Sequence, residues 1–312
     1  MTTQPDVLRT PDDRFAGLPG YDFQPHYLDW LGMRVHYLDE GPRDGRPILM
    51  VHGEPTWSYL YRNVIPHLTA AGYRCIAPDY IGFGRSDKVV DDEWYVIERH
   101  IETIAHVITT LDLNGTVLVC QDWGGPIGLR QAINMPERFA ALMILNTWLH
   151  HDGYDYTDAV RNWRAAGTNP EQLGGDMPVG RILGLAARRP GQDLEALRLA
   201  YDAPFPDTTY KAGPRRFPWC LPFVQPIEGN AADQQRCFDA LTSWNKPAHL
   251  IFGDADQIFT YDWAQTWAAM IPGATHERIE GAGHFVQEEA PDDLAAAILR
   301  RLEEDRLSPT HT

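Results

Sequence analysis

The first half of the chain alternates short, largely apolar runs with stretches whose apolar residues recur every three or four positions. Residues 46–51 and 73–77 are apolar runs of strand length, too short for a core helix. Ile97, Ile101, Ile104, Ile108 and Leu111 fall on one helical stripe that stops before Asn114-Gly115. Residues 116–121, 124–134 and 141–146 then read as strand, helix and strand. This rhythm predicts a mostly parallel sheet covered by helices on both faces. It breaks after Asn146. From 147 to 225 the chain is rich in Trp, Tyr, Pro and Gly, with helical stretches but no strand–helix alternation. Alternation returns with a strand at 248–253, a helix near 261–270, a strand near 275–279 and a last helix after Pro291. The expected organisation is one α/β core made of 1–147 and 226–312. A helical cap, 148–225, is inserted over the strand ends, where open α/β sheets bind ligands.

Composition narrows the partners. The 312 residues are 44% hydrophobic and 11% aromatic, as in a packed enzyme, and 27 basic against 43 acidic residues give a formal charge of −16. Such a surface repels phosphate backbones and anionic lipid, which argues against nucleic-acid or membrane partners. No apolar run is long enough to span a bilayer, and the polar first 13 residues lack the core of a signal peptide. Cys75, Cys120, Cys220 and Cys237 form no C-x-x-C pair or metal spacing and read as reduced, mostly buried residues. The expectation is a cytoplasmic protein, monomeric.

Candidate chemistry begins at Val119-Cys120-Gln121-Asp122-Trp123-Gly124-Gly125, a strand-to-helix junction. In the esterase motif G-x-S-x-G a tight turn there thrusts a nucleophile into the site. Asp122 holds the nucleophile's place here, and Cys120 replaces the first glycine. A plain alternative is that Asp122 caps the following helix. Two further elements favour chemistry. Gly281-Ala282-Gly283-His284-Phe285 follows the last strand, and Gly253-Asp254-Ala255-Asp256 ends the strand before it, giving the order nucleophile, acid, His. Upstream, His52-Gly53-Glu54-Pro55 closes a strand, so the backbone N–H groups of Glu54 and Trp123 can converge on one oxygen. The Glu54 side chain, a carboxylate near an anionic nucleophile, is expected to point away or be held by a partner. His150-His151-Asp152 lacks further ligands and reads as a loop, and Gly82-Phe83-Gly84 lacks the third glycine of a dinucleotide turn. No metal, nucleotide or flavin is implied.

With these residues in hand the sequence closely resembles the haloalkane dehalogenases. The resemblance rests on His52-Gly53-Glu54-Pro55-Thr56-Trp57, on Gly82-Phe83-Gly84-Arg85-Ser86-Asp87, on Gln121-Asp122-Trp123-Gly124-Gly125, and in the cap on Ala203-Pro204-Phe205-Pro206-Asp207 and Arg216-Phe217-Pro218. It implies the α/β-hydrolase fold, with a mostly parallel eight-stranded sheet and an inserted helical cap. It also implies a cofactor-free reaction. Asp122 displaces halide from a small halogenated aliphatic substrate, and His284, backed by Asp256 after the seventh strand, activates water to hydrolyse the resulting alkyl ester to alcohol. Trp123 and the cap residue Trp163 are implied to hold the halide through their indole N–H groups, with Trp148 and Trp219 as fallbacks for the second. Pro126, Val160, Phe217 and Pro218 are expected to line the substrate pocket.

Two other readings share the scaffold. An epoxide hydrolase uses the same Asp–His–acid scheme but needs acidic donors, for which Tyr154, Tyr156, Tyr201 and Tyr210 are available. A Trp directly after the nucleophile suits a halide, which leaves without a proton; fluoroacetate-type dehalogenases place Arg there to hold a carboxylate. A catalytically silent ligand-binding protein of this fold is expected to have lost part of the triad, and here all members are present.

Overall fold

A computed structural model describes residues 5–186 and 193–307. Residues 1–4 and 308–312 of the expected core and 187–192 of the expected cap lie outside the described residues. Eight strands form one sheet: β1 His26–Trp30, β2 Met33–Glu40, β3 Pro47–Val51, β4 Arg74–Pro78, β5 Thr116–Cys120, β6 Phe139–Leu145, β7 Ala248–Gly253 and β8 Thr275–Ile279. Their spatial order is β1-β2-β4-β3-β5-β6-β7-β8, antiparallel at β1/β2 and β2/β4 and parallel elsewhere. The helices are α1 Ile65–Ala70, α2 Ile97–Thr110, α3 Gly124–Asn134, α4 Asp158–Gly167, α5 Val179–Ala186, α6 Leu194–Asp202, α7 Ala212–Arg216, α8 Ala231–Leu241, α9 Tyr261–Ala268, α10 Val286–Glu289 and α11 Pro291–Leu307. Among the described residues between β6 and β8's partner β7 there are helices and no strands. No described helix is long and apolar enough to cross a membrane.

The apolar runs form strands because alternate residues feed two separate cores. Leu49, Val51, Leu118, Cys120, Leu142 and Ile144 pack with α2, α3, α8 and α9. Their neighbours Ile48, Met50, Val117, Val119, Ala141 and Met143 pack with α1 and α11. With both faces covered, strand-interior polar side chains would have no water, which is why the runs are unbroken. The β1–β2 hairpin is an addition to the sequence reading. It turns through Leu31 and Gly32 at φ +55° and +81°, the two left-handed residues of a type I′ turn.

One buried carboxylate organises the loops at the sheet's ligand-facing end. Asp79, just past β4, accepts the backbone N–H groups of Ser58 (2.7 Å) and Arg85 (2.8 Å) and the Nδ1–H of His36 (2.7 Å). Gly84 has no room for a side chain because a Cβ there would lie 2.0 Å from Asp79 Oδ2. Burial alone would push the Asp79 carboxyl up; the donors from His36 and Arg85 and the nearby His52 outweigh it and hold it at about 2. Since the folded value lies below the unfolded one of about 3.9, this stabilisation is complete above roughly pH 4 and is lost as pH falls towards 2.

Asp79→Asn keeps the shape but supplies one acceptor oxygen and no charge. The loss of charged hydrogen bonds should cost about 3 kcal/mol, lowering the melting temperature by roughly 6–12 °C at neutral pH. The deficit relative to the parent should shrink on acidification below about pH 4, as followed by calorimetry. A variant that melts with the parent at pH 7 would contradict this account of Asp79.

Candidate active site

The site grows from the sharp turn between β5 and α3. Asp122 sits there at φ +52°, a conformation strained for any residue with a Cβ. It is fixed on all sides: its N–H donates to Asn146 O (2.9 Å), and its carbonyl accepts Gly125 N–H (2.9 Å) and the Thr147 hydroxyl. The flanking glycines are sterically required. A Cβ on Gly124 would lie 2.1 Å from Val51 O, and one on Gly125 2.0 Å from Thr147 Oγ1. Cys120 is simply the buried last residue of β5, so the first glycine of the esterase pattern is dispensable here. The Asp122 side chain does not cap α3, whose N-cap position is Trp123 and which has no side-chain cap. The helix-cap alternative therefore does not describe this residue.

Asp122 points instead towards the β3 exit. Its Oδ1 accepts Glu54 N–H at 2.8 Å, and a Cβ on Gly53 would lie 2.3 Å from the same oxygen. Its Oδ2 is 3.6 Å from His284 Nε2. On the far side of the ring, His284 Nδ1 is 3.0 Å from Asp256 Oδ2. Asp256 is held by Asn146 Nδ2 (2.9 Å) and Ile258 N–H (2.7 Å), and Asn146 is anchored in turn by Gly253 N–H (2.9 Å). Asp254 is exposed and caps the Gly281 turn at 2.7 Å, remote from the ring. Gln121 donates to His284 O at 3.1 Å and lies 3.1 Å from His284 Nε2. Asn146 and Gln121 escaped the sequence reading; the one available signal was their position at the ends of β6 and β5.

Charge in the site is uneven. Burial pushes the His284 ring towards neutrality, but the Asp256 and Asp122 carboxylates on its two sides reverse this and hold its pKa up at about 10. Glu54 corrects an expectation. Its side chain does not point away: it lines the cavity, is buried, and leaves Oε1 without a hydrogen bond among the described residues. Burial, then the Asp122 charge, raise its carboxyl well above the ordinary range, the direction that favours the protonated form and eases the repulsion with Asp122.

These groups open on a cavity of about 170 Å³ between the sheet and the helical insertion. Trp123 and Trp163 line it, as do Val160 on α4, Ile182 and Ala186 on α5, and Leu221. Among the described residues neither Trp123 nor Trp163 spends its indole N–H on another protein group. Trp148 also lines the cavity but donates to the Tyr156 hydroxyl at 3.4 Å, and Trp219 lies outside it, 39% exposed. Three expected pocket residues are absent from the lining: Pro126, Phe217 and Pro218. Pro126 is buried in the first turn of α3. Phe217 packs edge-on against Trp123 (5.3 Å) and against His100 (4.7 Å), and Pro218 faces Gly167 of α4. They back the wall without forming it. None of Tyr154, Tyr156, Tyr201 and Tyr210 lines the cavity, so the acidic donors an epoxide needs are missing from it. His150 and His151 are engaged with Tyr156 and Leu149 O.

Over nearly its whole length the chain is similar to known proteins. A family model described as alpha/beta hydrolase fold matches residues 46–291. A haloalkane dehalogenase of Psychrobacter cryohalolentis is 41% identical over 304 residues, covering 94% of this chain and 97% of its own. One from Mycolicibacterium paratuberculosis is 43% identical over 301 residues, with the same shares. Among solved structures, the tetrameric haloalkane dehalogenase DpaA of Paraglaciecola agarilytica superposes with a TM-score of 0.86 at 37% identity, covering 98% of this chain and 100% of that one.

The charge balance around His284 is open to test. Asp122→Asn removes one of the two carboxylates that favour the imidazolium, so the ring pKa followed by NMR should fall by about one unit or more. An unchanged titration would mean that Asp122 does not act on the ring.

Proposed function

The chain belongs to the haloalkane dehalogenases of the alpha/beta hydrolase fold, hydrolases acting on carbon–halide bonds, and on that footing we propose that Asp122 is the nucleophile and His284 the base of a two-step dehalogenation. The observation that carries the assignment is the pair of contacts on one carboxylate: Glu54 N–H on Oδ1 and His284 Nε2 near Oδ2. In the first step Asp122 attacks the halogen-bearing carbon, the C–O bond forms, and halide leaves with the bonding electrons. It needs no proton but does need donors in a dry pocket, and the Trp123 and Trp163 indole N–H groups supply them. The product is a neutral alkyl ester on Asp122.

Esterification changes the base. With the Asp122 charge gone, two of the influences that raise the His284 pKa disappear, while Gln121 still favours a free lone pair on Nε2. The ring can then release its proton to solvent and, with the Nε2 lone pair free, take one from water once there is an ester to hydrolyse. Hydroxide adds to the Asp122 carboxyl carbon, the oxyanion is held by Glu54 and Trp123 backbone N–H groups, and Asp256 stabilises the imidazolium. Collapse expels the alkoxide, which takes the imidazolium proton and leaves as alcohol, and the regenerated Asp122 carboxyl gives up its proton to solvent. The sign follows: ester hydrolysis should quicken as pH rises through the lowered His284 pKa, while halide displacement stays level as long as Asp122 is ionised.

Residues 1–147 and 226–312 are proposed as the catalytic core and 148–225 as a cap closing the cavity. Val160 and Ala186 are small, which supports substrates longer than two carbons, with primary alcohols as products. Four buried, unpaired cysteines support a reducing, cytoplasmic setting. A monomer remains the proposed assembly, and a sedimentation mass of four chains, the state named for the Paraglaciecola enzyme, would replace it.

Halide release from bromoethane, bromobutane and bromohexane, measured beside styrene oxide hydrolysis, tests the reaction and pocket together: all the bromoalkanes should turn over and the epoxide should not. Trp163→Phe keeps the aromatic body but removes the N–H donor. It should weaken bromide quenching of tryptophan fluorescence and turnover by about 10- to 100-fold, the worth of one hydrogen bond to an ion. An unaltered Trp163→Phe enzyme would withdraw that residue from halide binding.

A further inference from the structure

Four residues beyond His284 the short helix α10 carries a buried carboxylate that the reaction itself does not use. Glu288 accepts both terminal nitrogens of Arg62, one of them at 2.9 Å, and the Tyr201 hydroxyl at 2.6 Å. All three residues are buried. They come from three separate pieces of the fold: Glu288 from the turn that bears His284, Arg62 from the segment after the β3 exit, and Tyr201 from α6 of the helical insertion.

Arg62 is itself tied rigidly to the Glu54 turn. Its guanidinium donates to Tyr59 O at 3.1 Å and lies 3.7 Å over the Tyr59 ring. The neighbouring Tyr61 hydroxyl donates to Val51 O at 2.9 Å, and Thr56 closes back on Gly53 O at 3.1 Å. The bidentate pair therefore joins the turn that holds the oxygen-binding N–H of Glu54 to the turn that holds His284. Those two turns reach the same Asp122 carboxylate from opposite sides, and their spacing sets where a water can stand between His284 and the ester carbon.

We infer that Glu288 is a positioning residue for ester hydrolysis, keeping His284 in register with the Glu54 turn, with Tyr201 fixing Oε1, the oxygen that also accepts Arg62 Nη1. The inference rests on the proposed roles of Asp122 and His284. Halide displacement uses neither the base nor the register between the turns, so the two chemical steps must respond differently.

The test is rapid-quench single turnover with bromobutane, reading released halide and alkyl-enzyme by mass spectrometry. Glu288→Gln should alkylate within about twofold of the parent rate but hydrolyse the ester roughly tenfold or more slowly, so that alkyl-enzyme accumulates. Because that change leaves Arg62 buried without its counter-charge, the variant could fail to fold. Tyr201→Phe, which loses only one hydroxyl, then decides the matter: it should shift the same step in the same direction, by about threefold or more. Equal slowing of both steps, or unchanged hydrolysis in a folded Tyr201→Phe protein, overturns the inference. If the parent enzyme itself forms no alkyl-enzyme, the nucleophile assignment fails instead.

Discussion

The position of one carboxylate governs the site. Asp122 is held at a positive φ by the close approach of α3 to β3, which Gly124 permits, and of α3 to Thr147, which Gly125 permits. Gly53 then leaves just enough room for the carboxylate to meet the Glu54 N–H. Such strain costs of order 1–3 kcal/mol and persists because the surrounding sheet over-determines the turn. The two fully packed cores on either side of β3, β5 and β6 are what make the sheet stiff enough to do this.

Three acids and one imidazole share this small apolar volume, and the arrangement separates their charges. Asp256 has its lone pairs engaged by Asn146, Ile258 N–H and His284, and so stays an acceptor facing the ring. Asp122 keeps one oxygen held and one turned towards the cavity. Glu54, whose Oε1 has no donor among the described residues, has its carboxyl pushed up by burial and by Asp122. The two acids flanking the ring raise its pKa, and in the proposed reaction the Asp122 contribution is removed once that residue is esterified. In this account the first chemical step prepares the base for the second.

Much of this could be read from the chain. The parallel strands were legible because burial on both faces leaves an unbroken apolar run, and the triad because element ends and chain order constrain it together. The β1–β2 hairpin was less visible: Leu31 stands where a glycine or asparagine usually marks a left-handed turn, and the strands' inward and outward residues do not separate cleanly. The pocket wall was harder still. Ile182 and Ala186 line the cavity, while Phe217 packs against Trp123 outside it, because the facing of insertion helices depends on how they pack and not on their spacing from a motif. Buried partners such as Arg62 and Glu288 carry no local signature, since each is defined by what approaches from a distant part of the chain.

The most direct measurement of the central claim is the fate of His284→Gln mixed with excess bromobutane. With the nucleophile intact and the base removed, the protein should release about one halide per chain, gain the mass of one butyl group, and stop. Fragmentation should place that mass on the peptide bearing Asp122. Continued multiple turnover by His284→Gln, or an adduct on another residue, would contradict the assignment of nucleophile and base.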